Sequence, residues 1–474
     1  MLEISKKEIS IEKLFVVIGL IVGCIFIYII PPFQSPDEDS HFKKAYSISN
    51  GNFYAKKENK IIGLEVPNAM NDYINNKLTM MGNRELKYSY NEFYYDQYLP
   101  SDLSKVSFYK VSTSETSPIA HLIPGIGILI AKLFGFIFFK GNPSIAFLLS
   151  FARFFSLLSY LTIGYFAIKL TPSFKKSFFV ILLMPMSIFL GSMVTYDNLL
   201  ISVVALAVAS ILKLTYDKKE KFNNKWFLVF TIIGYILLNV KVIYAPILAL
   251  MLFIPNEKFK NKSKKEKWKT YLLLGATIIL ITIILKIPNL LLGSTKSSDL
   301  YSSQMEFVLS HPLSYIKILV NNIRSQLIQQ LYWMVGTFGL LDTYLPPIFM
   351  FISFINLLFV FATDGISEKL KIDYRQKIIV LLAFILGIVG MYTAMYLYWT
   401  VDVLGKIGGN TITGVQGRYF IPLLISLPLL FSNSLFDKNK KILNFSKKYF
   451  NYSILITVIC LIISIIVSIT RFWI

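Results

Sequence analysis

Asp37, Glu38 and His41 stand within five residues of one another in the run PPFQSPDEDSHFKKAY, residues 31–46. That run follows an apolar stretch, Leu14 to Ile30, with no spacer, so the three groups are set at a membrane surface. A carboxylate held at the mouth of a membrane-spanning bundle is placed to act as a general base. The local pattern predicts a helix start. Ser35 suits the N-cap, Pro36 the first helical position, and Glu38 completes an S-x-x-E capping box. Asn50-Gly51 supplies the stop. On such a helix Asp37 and His41 share a face. Phe42, Ala45 and Ile48 form a second, apolar stripe for lipid or neighbouring helices. The cap needs Ser35 and Glu38 but not Asp37. Asp37 is therefore the stronger candidate for chemistry, and Glu38 is divided between capping and function.

Other charged groups fall on the same side of the expected membrane: Arg153, Asp197, Lys241, Asp342, Asp402 and Arg418. Charges at membrane depth are site candidates by default. Each has a structural alternative. Arg153 can pair with an acid between helices, and Asp342 can cap the span after Leu345. Lys286 and Arg471 can snorkel and receive no role. Arg418 opens a span on the outer side, against the usual bias of basic residues, and an anionic lipid phosphate would hold it there.

These groups need a membrane frame to position them. Mean hydropathy is +0.58 and 55% of the 474 residues are hydrophobic, in recurrent runs of spanning length, which defines an all-α integral membrane protein. The net charge of +21 comes mostly from lysines in short loops, so it sets orientation and does not argue for nucleic acid. Cys24 and Cys460 both lie in apolar runs and offer neither a disulfide framework nor a thiolate metal site. Lys6, Lys7 and Lys13 put the N-terminus in the cytoplasm, and Pro-Pro after the first run marks an uncleaved span.

One domain over 1–474 is expected, with about eleven spans. Residues 31–143 form a first extracytoplasmic loop, in which 50–117 makes an irregular cap. Residues 119–139 make a helix in the outer interface, because counting them as a span would put Lys175 and Lys176 outside. The stretch 226–254, lysine-rich on both flanks, must be a hairpin of two short arms, 227–240 and 242–254. Each arm rises only ~20 Å against a ~30 Å hydrocarbon core. Its turn at Lys241 would then line an outward-opening cavity. Residues 293–345 form a second external segment with an amphipathic piece near 312–332. The remaining spans are 145–168, 177–194, 199–214, 271–292, 346–361, 378–397, 419–431 and 452–469.

No Walker loop, GxSxG, HExxH or CxxC pair is present, and three histidines are too few for a histidine-rich metal site. The motif Ser35-Pro-Asp-Glu38 with His41-Phe and Ala45-Tyr resembles the start of GT-C glycosyltransferases, of the aminoarabinose transferase and protein mannosyltransferase type. That resemblance implies a GT-C-like bundle and an acidic catalytic base just after the first span. The in-plane helix of those enzymes is similar to Ser117-Pro118-Ile-Ala-His-Leu. Residues 52–116 depart from the pattern, so the acceptor is not carried over. A closer resemblance, spread over nearly the whole chain, is to an uncharacterised family of bacterial membrane proteins known as domain of unknown function 2142. It rests on PPFQSPDEDSHF, MPMSIFLGSMVTYDN (184–198), Lys241-Val-Ile-Tyr244, Gly336-Thr-Phe-Gly-Leu-Leu-Asp342 and Gly414-Val-Gln-Gly-Arg-Tyr419.

The resulting expectation is a bacterial plasma-membrane glycosyltransferase. It would move a sugar from a polyprenyl-phosphate donor to an extracytoplasmic cell-envelope glycan. Asp37, with Glu38, would be catalytic. Lys241, Arg418, His41, Arg153 and Tyr244 would hold the lipid phosphate. Asp197, Asp342, Asp402, Gln416 and Tyr419 are further site candidates. No ligand cluster for a metal is evident, although a divalent metal is allowed because some GT-C enzymes use one. Aromatics of 88–98 (Tyr88, Tyr90, Phe93, Tyr94, Tyr95 and Tyr98) would stack on sugars or fill the external loop. A non-enzymatic flippase or export component for lipid-linked glycans is the alternative, as is a polysaccharide polymerase or ligase.

Overall fold

The computed structural model describes residues 9–138, 141, 143–292, 298–364, 372–432 and 440–474. Lys6 and Lys7, used above for orientation, lie outside the described residues. Seven helices among these are long and apolar enough to cross a membrane. They are α1 (Ile11–Ile29) and, further along, the helices 145–170, 197–216, 264–291, 347–364, 374–404 and 448–472.

α1 leads into α2 (Glu38–Ser49), whose apolar stripe Phe42, Ala45 and Ile48 is buried. α2 stops at Asn50, and Gly51 takes a left-handed φ of 82°. Its start differs from expectation. The helix begins one residue after Asp37, which is itself left-handed at φ 59°, and Ser35 Oγ has no partner. The capping box does not form because Glu38 is drawn away to Arg153, as described below.

The cap is more ordered than its composition suggested. β1 (Lys56–Glu58), β2 (Ile61–Pro67) and β3 (Val106–Tyr109) form an antiparallel sheet in the order β1-β2-β3, with Leu64 paired to Tyr109. Ile62, Leu64 and Val66 turn their side chains into the core with α3 (Asn68–Leu78), so alternation survives beneath the polar composition. α4 (Tyr90–Tyr98) divides the aromatics: Tyr88 is buried and Phe93 half-buried, while Tyr90, Tyr94, Tyr95 and Tyr98 are exposed.

α5 (Leu122–Phe138) lies along α2. His121 just before its start meets His41, and Lys132 donates to Ser49 Oγ at 2.7 Å; Ser144, beyond its end, donates to the Gln97 carbonyl of the cap at 2.8 Å. α6 (Ile145–Leu170) follows, and then the expected span 177–194 is broken at Pro185 into α7 (Lys175–Leu182) and α8 (Pro185–Gly191). α9 (Asp197–Tyr216) is the most enclosed of the long helices. The hairpin forms as α10 (Asn224–Val240) and a 3₁₀ arm Val242–Phe253 containing Pro246, with its turn at Lys241. α11 (Lys264–Leu291) leads to α12 (Ser298–Ser310) and the long amphipathic α13 (Pro312–Gly336).

A two-residue ribbon, β4 (Thr337–Phe338) with β5 (Thr343–Tyr344), precedes α14 (Pro347–Asp364). α15 (Tyr374–Ala394) continues through a π turn, Met395–Thr400, into α16 (Val401–Leu404). Residues 417–431 are a 3₁₀ turn, α17 (Ile421–Leu424) and a second 3₁₀ turn, interrupted by Pro422 and Pro428. α18 (Lys440–Phe472) closes the chain against α1.

Candidate functional site

Five stretches far apart in sequence meet where α1 leaves the bundle. Each is placed by a local device. α6 brings Arg153, which is 2% exposed, up to fully buried Glu38. The guanidinium donates to both carboxylate oxygens, from Nε at 2.9 Å and from Nη2 at 2.6 Å. It also donates to the carbonyls of Ile27, Ile30 and Pro31. Five bonds use every donor an arginine has. Glu38 Oε1 accepts a third bond, from the Val194 amide at 3.0 Å. This clamp ties α1, α2, α6 and the 192–196 turn together. Glu38 and Arg153 thus form a structural clamp, with every donor of the arginine and both carboxylate oxygens engaged within the fold.

Beside the clamp, Arg418 stands between two carboxylates. Its Nη2 donates to Asp37 Oδ2 at 2.8 Å, and its Nε lies 3.2 Å from Asp197 Oδ2, an ion pair without hydrogen-bond alignment. The arginine side chain is 3% exposed and Asp197 7%, whereas Asp37 is 60% exposed. Asp37 alone of the three opens outward. Arg418 Nη1 is buried and has no partner.

Lys241, at the hairpin turn, sets Nζ 3.2 Å from the centroid of the Tyr419 ring and 5.6 Å from that of Tyr196. This Nζ too is buried without a hydrogen-bond partner. Arg418 Cζ lies 5.2 Å from the same Tyr419 ring, so one ring carries both cations. Tyr244 donates to the Tyr419 carbonyl at 2.8 Å and fixes that turn without reaching the cations.

α13 aligns the loop that presents Arg418. Asn322, Gln326 and Gln330, four apart on one face, donate to the carbonyls of Asn410, Ile412 and Val415. Gly417 lies directly on α13, where a Cβ would overlap the Gln330 carbonyl and the Met334 amide. Gln416, just before, keeps its Oε1 buried without a partner.

His41 is 3% exposed. Its Nδ1 is 2.6 Å from His121 Nε2, and its ring meets Tyr196 edge-on. Burial pushes His41 down to about 4 and His121 well below the ordinary histidine range, so the pair is neutral. His41 is thereby engaged within the fold, paired with His121 and packed under Tyr196. Partial desolvation alone would raise the Asp37 carboxyl, but the Arg418 guanidinium first, and then Lys241, outweigh it and hold Asp37 below its usual value.

Asp342 lies apart from this group, on Arg471 at 2.7 Å, and Asp402 is exposed on α16. The pairing explains Arg471, which also donates to the Met80 and Asn83 carbonyls rather than snorkelling. Sequence reasoning gave His121 and Tyr196 no individual part. Their signals were, for His121, membership in a set of three histidines and in Ser117-Pro118-Ile-Ala-His-Leu, and, for Tyr196, the 184–198 motif. Among the described residues no three His, Cys, Asp or Glu side chains gather as a metal site. The two carboxylates at the cleft share an arginine, a poor donor set for a divalent cation. A cavity of about 250 Å³ between α13, α14 and α15 is lined by Met334, Phe354, Leu357, Phe361 and Phe384, without a charged group to do chemistry.

A helical bundle with, among the described residues, seven helices long and apolar enough to span, and with a buried charged cluster beneath an ordered cap, is that of a multi-pass membrane protein. The chain belongs to the family described as predicted membrane protein, DUF2142, whose model matches residues 20–427. No curated protein and no solved structure matches the chain.

Proposed function

We propose that this protein is a GT-C-type inverting glycosyltransferase of the bacterial plasma membrane. It takes a sugar from a polyprenyl-phosphate donor and passes it to an extracytoplasmic cell-envelope glycan. The observation that supports it most is one exposed carboxylate, Asp37, paired with Arg418, whose neighbour Tyr419 also carries Lys241, both buried cations keeping unpartnered nitrogens. Buried donors without acceptors are costly and suit an anionic ligand. Nucleotide sugars are cytoplasmic, so a donor for the outer face is lipid-linked.

In this reading the broken segments 175–191, 224–253 and 417–431 supply the crossings beyond the seven long helices, giving eleven. The N-terminus is cytoplasmic, and α5 lies in the outer interface.

In the reaction Asp37 takes the proton of an acceptor hydroxyl. The hydroxyl oxygen bonds to the anomeric carbon from the face opposite the phosphate, and the bond from that carbon to the phosphate oxygen breaks. Its electron pair stays on the departing polyprenyl phosphate, whose charge Lys241 and Arg418 stabilise.

Asp37→Asn tests this. Asparagine adopts the left-handed conformation readily, so the fold survives. Transfer from polyprenyl-phosphate sugar by the purified variant should fall ~100- to 10,000-fold. Glu38→Gln is the contrasting control. It breaks a buried pair worth about 3–5 kcal/mol, so it should lower the yield of folded protein while the folded fraction keeps its rate. Near-normal transfer by Asp37→Asn would sink the assignment and leave Asp197 or Asp402 as the carboxylate to examine.

A further inference from the structure

As the structure stands, the exposed carboxylate is not free. Asp37 Oδ2 holds Arg418 Nη2 at 2.8 Å, and a carboxylate under a guanidinium is a weak base. The arginine is itself divided. Asp197 lies at Nε, Asp37 takes Nη2, and Nη1 is buried with no partner. With the histidine pair neutral, two carboxylates balance Lys241 and Arg418. A phosphate entering at Nη1 and Lys241 Nζ therefore brings negative charge beside Asp37, with no further cation among these groups to answer it.

We propose that the donor's phosphate competes with Asp37 for Arg418. On binding, Nη2 passes from the carboxylate to a phosphate oxygen, Asp197 keeps Nε, and Asp37 is released as a base only in the donor complex. This deepens the glycosyl-transfer reading and rests on it. The geometry favours the exchange. Asp197 is buried at the start of α9, and its amide is fixed by Thr195 Oγ1 at 2.9 Å, so Nε stays anchored. Asp37 is the partner with open space to move into. Losing the guanidinium and gaining an anionic neighbour both strengthen Asp37 as a base, bringing it closer to working pH. The acceptor hydroxyl is thus activated only once a donor is in place.

The test is equilibrium binding of polyprenyl phosphate carrying no sugar to the full-length protein in detergent or nanodiscs. If the carboxylate competes for the arginine, Asp37→Asn should bind the probe roughly tenfold tighter than the parent, the scale of one charged hydrogen bond. Lys241→Gln and Arg418→Gln should bind it more weakly. Unchanged or weaker binding by Asp37→Asn, with loss in Lys241→Gln, overturns the competition and leaves the phosphate site standing. Parent-like binding by both Lys241→Gln and Arg418→Gln overturns the phosphate site itself. A misfolded Asp37→Asn could not bind more tightly, so the expected gain is not mimicked by damage.

Discussion

Arg153 and Arg418 are both buried arginines beneath the same cap, yet one has every donor occupied and the other leaves Nη1 without a partner and Nε without an aligned hydrogen bond. That difference separates a clamp from a site. It was only half legible in the sequence. Charge at membrane depth pointed to Asp37, Arg153, Lys241 and Arg418 alike, because it measures cost and not partner. Adjacent Asp37 and Glu38 could not be told apart in this way. Their separation depends on a left-handed residue at 37, which turns one carboxylate inward to Arg153 and leaves the other outside. The histidine pair makes a prediction at this scale. His41 falls from 6.5 to about 4 on folding, so between those values the unfolded chain binds more protons than the folded one. Stability is full above pH 6.5 and falls as pH drops towards 4, by up to ~1.4 kcal/mol per pH unit for each such group. His121 acts in the same direction. Melting temperature in detergent should decline over that window, and His121→Gln should flatten the decline. An equally steep decline in that variant would assign the acid sensitivity to other groups.

Helices that carry the site are mostly the imperfect ones. The 3₁₀ arm after Lys241, the 192–196 turn after α8 and the 3₁₀ turn at 417–420 each put non-helical backbone at the cleft. Such backbone is tolerated at membrane depth where it lines a cavity or is held by protein. The hairpin was legible because lysines on both flanks and two short arms left no other arrangement. The α13 ladder was not, because Asn322, Gln326 and Gln330 read as the polar face of an amphipathic helix and nothing in the sequence says that a loop lies on it. The cap strands were missed for a related reason, their alternation being diluted by charged and polar neighbours. Gly417→Ala tests the fit. Its Cβ must push the 3₁₀ turn off α13, and overpacking of this kind costs ~1–3 kcal/mol. Loss of sugar transfer should exceed the loss of folded protein, since Arg418 is the next residue. Full transfer by a folded Gly417→Ala would show that the turn has slack.

Across the whole molecule the two ends of the bundle differ in kind. At one end the short connections carry lysine, and Lys258 donates to the carbonyls of Asp217 and Glu220 to tie two of them together. The clamp, the cation pair and the cap occupy the other. In the orientation proposed above, which the excess of lysine in short loops supports, the first end faces the cytoplasm. Cysteine at Ser104 in the cap should react with an impermeant maleimide in intact cells. Cysteine at Lys219 should react only after permeabilisation, both in a background with Cys24 and Cys460 replaced by serine. The reverse pattern would invert the protein and move the proposed chemistry to the nucleotide-sugar side. The end of α18 also grips the cap and the first helix. The Phe472 carbonyl accepts from the Tyr88 amide, Lys87 reaches the Thr470 and Arg471 carbonyls, and Trp473 Nε1 donates to the Ile29 carbonyl at 2.8 Å across 444 residues of chain. A ribosome makes α1 and the cap well before α18. The cap therefore waits, without this anchor, while every helix from α5 to α17 is made, and its docking on α18 is a late step of folding.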